Sequence, residues 1–335
     1  MKKLVYLFFL LILILTLLVS WSWGRKKANR PLELKIGHFA NEAHPGQTAC
    51  KMFADAVEKR TNGNIIVKIY PNNQLGAPPE VLEQNILGAI DMSLPTQGQL
   101  AKYSKKFGCV MMPFVYQDYA HADRVLDGPF LKWASPDLEA QGLIFLSNWE
   151  WGFRNLTNSV RPVNEPADVK GLKIRTPPEL PNQAAMEALG ATVQTIAFTE
   201  LPMALKQGVV DGEENPVSVI LSFKLYETQK YLAMTGHTYN SMVHVISKRT
   251  WDKLTRREQQ IIREESKKAG DYMRKTLRDA EKNEIKKLEE LGMEVTYPDV
   301  SKFKALMGPA YKRMEASVGA DNVKEFLKMV DAEKR

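Results

Sequence analysis

Residues 170–193 read "KGLKIRTPPELPNQAAMEALGATV". Leu172-Lys173-Ile174 alternates apolar and polar like a strand, and Arg175 stands at its end. Pro177 and Pro178 rule out continuation of the ladder and hold the chain in a turn. Asn182 to Leu189 then reads as a helix, with Gly190 in position to end it. Thr192 to Ile196 returns as a strand. A strand, a helix and a second strand at this spacing form a parallel crossover unit, which places the chain in the α/β class.

The same grammar extends outward in both directions. Leu32–Gly37 alternates as a strand, a helix follows from about Thr48 to Thr61, and Asn62-Gly63 supplies a left-handed stop. Ile65–Tyr70 is a second strand, Pro78–Leu87 a helix, and Gly88–Ser93 turns into a third strand. This half predicts a parallel sheet with helices on its faces. Residues 101–146 are less regular, with a helix from Asp118 to Leu126 and a buried strand at Leu143–Leu146. Further on, a helix at Thr199–Gln207 is closed by Gly208, and Val209–Gly212 leads into Glu213-Glu214-Asn215-Pro216. That passage echoes the run from Ile86 to Asp91: helix, glycine break, short apolar strand ending in Asp. The echo predicts two lobes of similar build. From Trp251 to Leu291 spaced apolar residues sit among alternating acids and bases, the pattern of a solvated amphipathic helix along an edge or between lobes.

Composition narrows the function classes. The chain has 335 residues and a net charge of +7, with bases interleaved among acids and no basic-aromatic patch. Nucleic acid is therefore not expected as a partner. Lys2 and Lys3 precede an apolar run from Leu4 to Val19, the layout of a secretory signal within residues 1–24, with a cut after Ser22 or Gly24. An uncleaved N-terminal anchor is the alternative, although the run is short against the roughly 20 residues a spanning helix needs. Cys50 and Cys109 read as two buried thiols, with one disulfide open to them in an oxidising compartment. No Cys/His cluster has metal-ligand spacing, so neither metal nor cofactor is expected.

No GxSxG, P-loop or GxGxxG occurs, and nothing points to an enzyme. Binding chemistry is better represented. Ligands of open α/β sheets sit beyond the carboxyl ends of strands, where Arg175 and Asn215 fall, and Arg154 follows the Leu143–Leu146 strand after a turn. A guanidinium fork matches a carboxylate bidentately, and an amide offers both donor and acceptor. Trp149, Trp151 and Phe198 are candidates to wall such a site from water. The competing readings are structural salt bridges for both arginines, and core packing for Trp149 and Phe198.

The chain resembles the solute-binding proteins of TRAP transporters, in the DctP-like group, over essentially everything after residue 31. The resemblance is carried by "GAPPEVLEQNILGAIDMS", "MMPFVYQDYAHADRVLDGP", "WGFRNLTNSVRP", "DVKGLKIRTPPELPNQAAMEALGATV", "FTELPMALKQGVVDGEENP" and "HTYNSMVHVISKRTWDKL". It implies a two-lobe, periplasmic-binding-protein-like α/β fold, with the ligand cleft between the lobes and long C-terminal helices bridging them. Residues 32–151 and 240–279 would form lobe I, and 152–239 and 280–330 lobe II. Arg175 matches the main ligand-holding arginine, Arg154 the second, and Asn215 and Phe198 further contacts. His38, Phe39 and His44 of the first loop and Glu80 at a helix start complete the implied set. The chain departs from the family at Ala77, where Gly-Asp-x-x-Glu is common, and at Pro202, where many members carry Tyr. The implied function is capture of a small organic acid, of C4-dicarboxylate or sugar-acid type, through an arginine-carboxylate salt bridge. Delivery to the membrane subunits of a TRAP permease would follow. The alternative is a sensory protein presenting such an acid to a receptor. A monomer, exported to the periplasm, is expected.

Overall fold

A computed structural model describes residues 30–335. The signal or anchor expected at residues 1–24 lies outside the described residues. The strands are β1 (Leu32–Gly37), β2 (Ile65–Tyr70), β3 (Met92–Ser93), β4 (Leu143–Asn148), β5 (Gly152–Asn158), β6 (Lys173–Thr176), β7 (Thr192–Thr195), β8 (Gly212–Asn215), β9 (Tyr231–Asn240), β10 (Val243–Ser247) and β11 (Glu294–Thr296). They form a five-stranded sheet, β2-β1-β3-β10-β4, and a six-stranded sheet, β11-β9-β5-β8-β6-β7.

The crossover units read from the sequence are present. β1 runs parallel to β2 and β3, and β6 runs parallel to β7 and β8. Helices cover the faces, as such connections require. Helix Pro45–Arg60 turns Ala49, Cys50, Phe53 and Val57 onto the first sheet, where they meet Leu34 and Ile36. Helix Leu180–Ala188 does the same in the second lobe, with Ala184, Ala185 and Met186 against Ile174.

The sheets are mixed, however, and the all-parallel expectation for the first half is corrected. β10 runs antiparallel to β3 and β4, and β5 runs antiparallel to β8 and β9. The cause is the crossing between lobes. β4 leads through Trp149-Glu150-Trp151 into β5, and β9 leads through Ser241-Met242 into β10. The two crossings lie side by side, with Trp149 N donating to Met242 O at 2.7 Å and Trp151 N to Asn240 O at 3.0 Å. A strand that enters a sheet from the other lobe arrives against the local direction. Periodicity read one lobe at a time contains no sign of that.

A third crossing is helical. Thr255 caps helix Arg256–Glu290: its Oγ1 accepts from Glu258 N at 3.3 Å, and Glu258 Oε2 accepts from Thr255 N at 2.8 Å. The sequence reading began this helix at Trp251, which instead ends a separate short helix, Lys248–Trp251. Ile261, Ile262, Ala269, Met273 and Leu277 enter the core of the first lobe, while Leu288 enters a core of the second with Leu205, Leu232 and Met293. Arg278 clips the helix to the first crossing, reaching Glu150 at 2.6 Å and Asp123 at 2.7 Å. The final helix, Ala320–Ala332, puts Val323, Phe326 and Val330 beside Phe130 and Leu138. It therefore packs on helices that follow the first sheet's strands, although residues 280–330 were read with the second lobe. Helix Pro129–Ala140, to which Phe130 and Leu138 belong, had no counterpart in the sequence reading, in which residues 101–146 were less regular.

Cys50 and Cys109 are free and buried in separate cores. Burial pushes the Cys109 thiol up to about 12, so neither the nucleophile nor the metal ligand, the thiolate, is within reach at neutral pH.

Candidate functional site

Arg175 lies in β6 between β7 and β8, opposite Gln194 and Glu213. It is 1% exposed. Its Nε donates to Ile196 O at 2.9 Å, and its guanidinium carbon stands 5.9 Å from the centre of the Phe198 ring. Its Nη2 is buried and has no partner among the described residues. Burial, with Arg154 nearby, brings its pKa down to about 10, so it is still a cation at neutral pH. A buried cation without a carboxylate of its own is costly, since the desolvation is offset only by a partner.

Arg154, in β5, is partnered. Nε donates to Glu214 Oε2, Nη2 to Glu214 Oε1 at 2.9 Å and to Glu214 O, and Nη1 to Asn240 Oδ1 at 2.8 Å. Of the five guanidinium hydrogens, four are used within the protein and one remains on Nη1. Burial disfavours charge on Glu214, but Arg154 and His237 outweigh it and hold the carboxyl down to about 2. Asn182 Nδ2 donates to the same Glu214 at 3.1 Å. Because a carboxylate only accepts, this fixes the amide and leaves Asn182 Oδ1 as the free end, buried and without a partner.

Glu213 and Glu214 are neighbours in β8, and the alternation of a strand sends them to different partners. Glu213 takes Asn215 Nδ2 on Oε2 and lies 3.0 Å from Thr157 Oγ1 on Oε1. Burial pushes its pKa up to about 7. Its bonding agrees with a proton. Thr157 Oγ1 is also 2.9 Å from Gln229 Oε1, and the Gln229 amide nitrogen is committed to Thr228 O at 3.1 Å. Thr157 Oγ1 thus stands between two acceptors, a crowding that a proton on Glu213 Oε1 relieves.

Glu179 follows the two prolines and is 4% exposed. Oε1 accepts from Thr96 Oγ1 of the first lobe at 2.9 Å, while Oε2 is buried without a partner. A cleft of about 460 Å³ runs between the lobes here, lined by Gly98, Gln99 and Lys102 on one side and Pro178, Glu179 and Leu180 on the other. Burial raises the Glu179 pKa against the opposing pull of Arg154 and Arg175, and of this charged cluster Glu179 is the member that lines the cleft.

The remaining residues divide. Phe39, after β1, meets Trp151 at 4.6 Å and Phe198 at 5.8 Å between ring centres, an aromatic trio drawn from the first lobe, the crossing and the second lobe. Trp149 stands apart: its Nε1 donates to Ser147 Oγ and Ser266 O, both at 3.1 Å, and its ring meets His244 in the first lobe's core. His38 bonds Gln47 at 2.9 Å, and His44 caps a helix by accepting from Gly46 N at 3.1 Å. Burial keeps both neutral, at about 4 and about 3. Glu80 is exposed and accepts from Ala77 N at 3.0 Å at the start of its own helix. Asn215 bonds Glu213. Trp151 was grouped with Trp149 from the sequence, but only Trp151 joins the trio. Glu179, Asn182, His237 and Asn240 were not singled out. His237 and Asn240 lie within a quoted family segment, and Glu179 lies four residues after Arg175, yet nothing in local spacing marks a contact across lobes. Among the described residues no group of three or more His, Cys, Asp or Glu is arranged to hold a metal.

Comparison with known proteins shows the family. Residues 36–317 match the DctP family model, described as bacterial extracellular solute-binding protein, family 7. The sialic acid-binding periplasmic protein SiaP of Vibrio cholerae is 33% identical over 302 residues, covering 90% of this chain and 94% of that protein. The 2,3-diketo-L-gulonate-binding periplasmic protein YiaO of Escherichia coli K12 is 34% identical, covering 89% and 91%. The crystal structure of a TRAP periplasmic solute-binding protein from Polaromonas sp. JS666, bound to D-erythronate, superposes with a TM-score of 0.84 at 35% identity, covering 88% of this chain and 98% of that one. The chain therefore belongs to the DctP family, family 7 of the bacterial extracellular solute-binding proteins serving TRAP transporters, and is a binding protein, not an enzyme.

Proposed function

We propose that the protein captures a small organic acid by pairing the ligand's carboxylate with Arg175 and hands it to a TRAP-type permease in the membrane, acting outside the cytoplasm. The observation that carries the reading is Arg175 itself, buried at the end of a strand with Nη2 unpartnered among the described residues. Arg154 supports the site in two ways. It occupies the Glu214 carboxylate, which leaves Arg175 without a hydrogen-bonded carboxylate, and it keeps one Nη1 hydrogen for a ligand oxygen. Phe39, Trp151 and Phe198 exclude water beside the ion pair, which strengthens it. Asn215 holds Glu213 in place beside them. Family membership supports delivery to a permease and export. The relatives' names support the ligand class: they bind sialic acid and 2,3-diketo-L-gulonate, both acids.

A thermal-shift screen against dicarboxylates, aldonic and uronic acids, keto acids and aromatic acids tests this. A ligand at a hundred times its dissociation constant adds about 2.7 kcal/mol, a visible shift. A hit that vanishes in Arg175→Ala is the expected result. A hit that survives that substitution refutes the arginine-carboxylate pairing.

A further inference from the structure

The polar groups left over in the site do not match a ligand made of carboxylates alone. Arg175 Nη2, a donor, and two acceptors, Glu179 Oε2 and Asn182 Oδ1, are buried without partners among the described residues, beside the unpartnered Thr176 hydroxyl and the spare Nη1 hydrogen of Arg154. A carboxylate satisfies the first. The two acceptors need hydrogens, and an ionised carboxylate has none. A second carboxylate would also meet Glu179, a group of like charge. The position is built for an acceptor. Thr96 holds one oxygen of Glu179 from across the cleft, and Gly98 leaves room for the other, since a Cβ there would lie 2.1 Å from Oε2.

We infer that Glu179 is a specificity-determining residue that selects hydroxylated monocarboxylates and rejects dicarboxylates, its free oxygen accepting from a ligand hydroxyl. The inference rests on the pairing of Arg175 with the ligand carboxylate. With that end fixed, a chain of hydroxyls presents donors to Glu179 and Asn182, whereas a dicarboxylate of the same length presents a like charge. Specificity of this kind is a difference of two affinities, one contact favourable and the other repulsive. Lys102 and Lys105 line the cleft too, but both are exposed and Lys102 is paired with Glu83, so neither supplies a second buried cation.

Calorimetric titration of the full chain with succinate and with aldonates of four and six carbons separates the outcomes. The aldonates are expected to bind at least about tenfold tighter than succinate, because a site with buried polar groups discriminates against ligands that leave them unpaired. Glu179→Ala should weaken aldonate binding about tenfold and leave succinate equal or tighter, collapsing the ratio. Glu179→Gln keeps the shape and removes the charge, and it should move the ratio the same way if Ala disturbs the fold. Succinate binding tighter than the aldonates overturns the inference, as does an unchanged ratio in both variants. If Arg175→Ala abolishes binding while the ratio ignores Glu179, only this inference fails. If no acid binds, or Arg175→Ala has no effect, the underlying reading fails with it.

Discussion

Arg175 and Arg154 are the same residue type in adjacent surroundings, yet they do opposite work. Arg154 neutralises Glu214, and removing it leaves a buried carboxylate unpaired. Arg154→Ala is therefore expected to lower stability by about 3–5 kcal/mol in urea unfolding. Arg175 has no carboxylate of its own, so Arg175→Ala should leave stability within about 1 kcal/mol, the range of an ordinary substitution. It should cost about 2–5 kcal/mol of ligand affinity, the loss seen when one side of a buried charge pair is truncated. Equal stability losses in the two variants would contradict the distinction. Glu213 adds a pH dependence. Its pKa rises from 4.5 unfolded to about 7 folded, so between those values the folded state holds the extra proton and stability falls as pH rises. Glu213→Gln reproduces the protonated form, donating to Thr157 and accepting from Asn215. The variant should gain stability over the parent as pH goes from 5 to 8, by at most about 3 kcal/mol for a shift of this size, seen as a growing difference in melting temperature. A constant difference would show that the Glu213 pKa is not raised into this range.

Among the elements, helix Arg256–Glu290 carries the most consequence, and Gly270 sets how closely it packs. A Cβ at Gly270 would lie 2.6 Å from Asn148 O and 2.8 Å from Trp149 Cδ1. Two effects compete in Gly270→Ala. Helix propensity favours alanine by about 1 kcal/mol. Overpacking against a backbone carbonyl, which cannot rotate away, costs about 1–3 kcal/mol. The clash should win, giving a net loss in chemical denaturation, and a stabilised variant would show that helix and strand can separate without cost. The sequence displays this helix plainly, because charged and apolar residues alternate at its period. It does not display why residue 270 is glycine, since the obstructing carbonyl belongs to β4.

As a whole molecule, the protein is two sheets joined by two strand crossings and one helix, with the proposed ligand groups gathered where they meet. The amphipathic face of the long helix is covered by the chain's own two cores. No large apolar stripe on it is left to bind another copy, so sedimentation velocity at micromolar concentration is expected to give a monomer. A stable dimer there would mean that another face supplies an interface.

The sequence by itself determined the class of fold, the echo of one lobe in the other and Arg175 as the outstanding cation, because each is written in local periodicity or in the residue after a strand. Only the tertiary structure decided that β5 and β10 run against their neighbours, that Trp151 and not Trp149 joins Phe39 and Phe198, that Arg154 is mostly engaged with Glu214, and that Glu179 reaches Thr96. The physical reason is the same for all four. Each depends on where a chain segment lands after crossing between lobes, and contacts between residues as far apart in sequence as Thr96 and Glu179 leave no period in either segment.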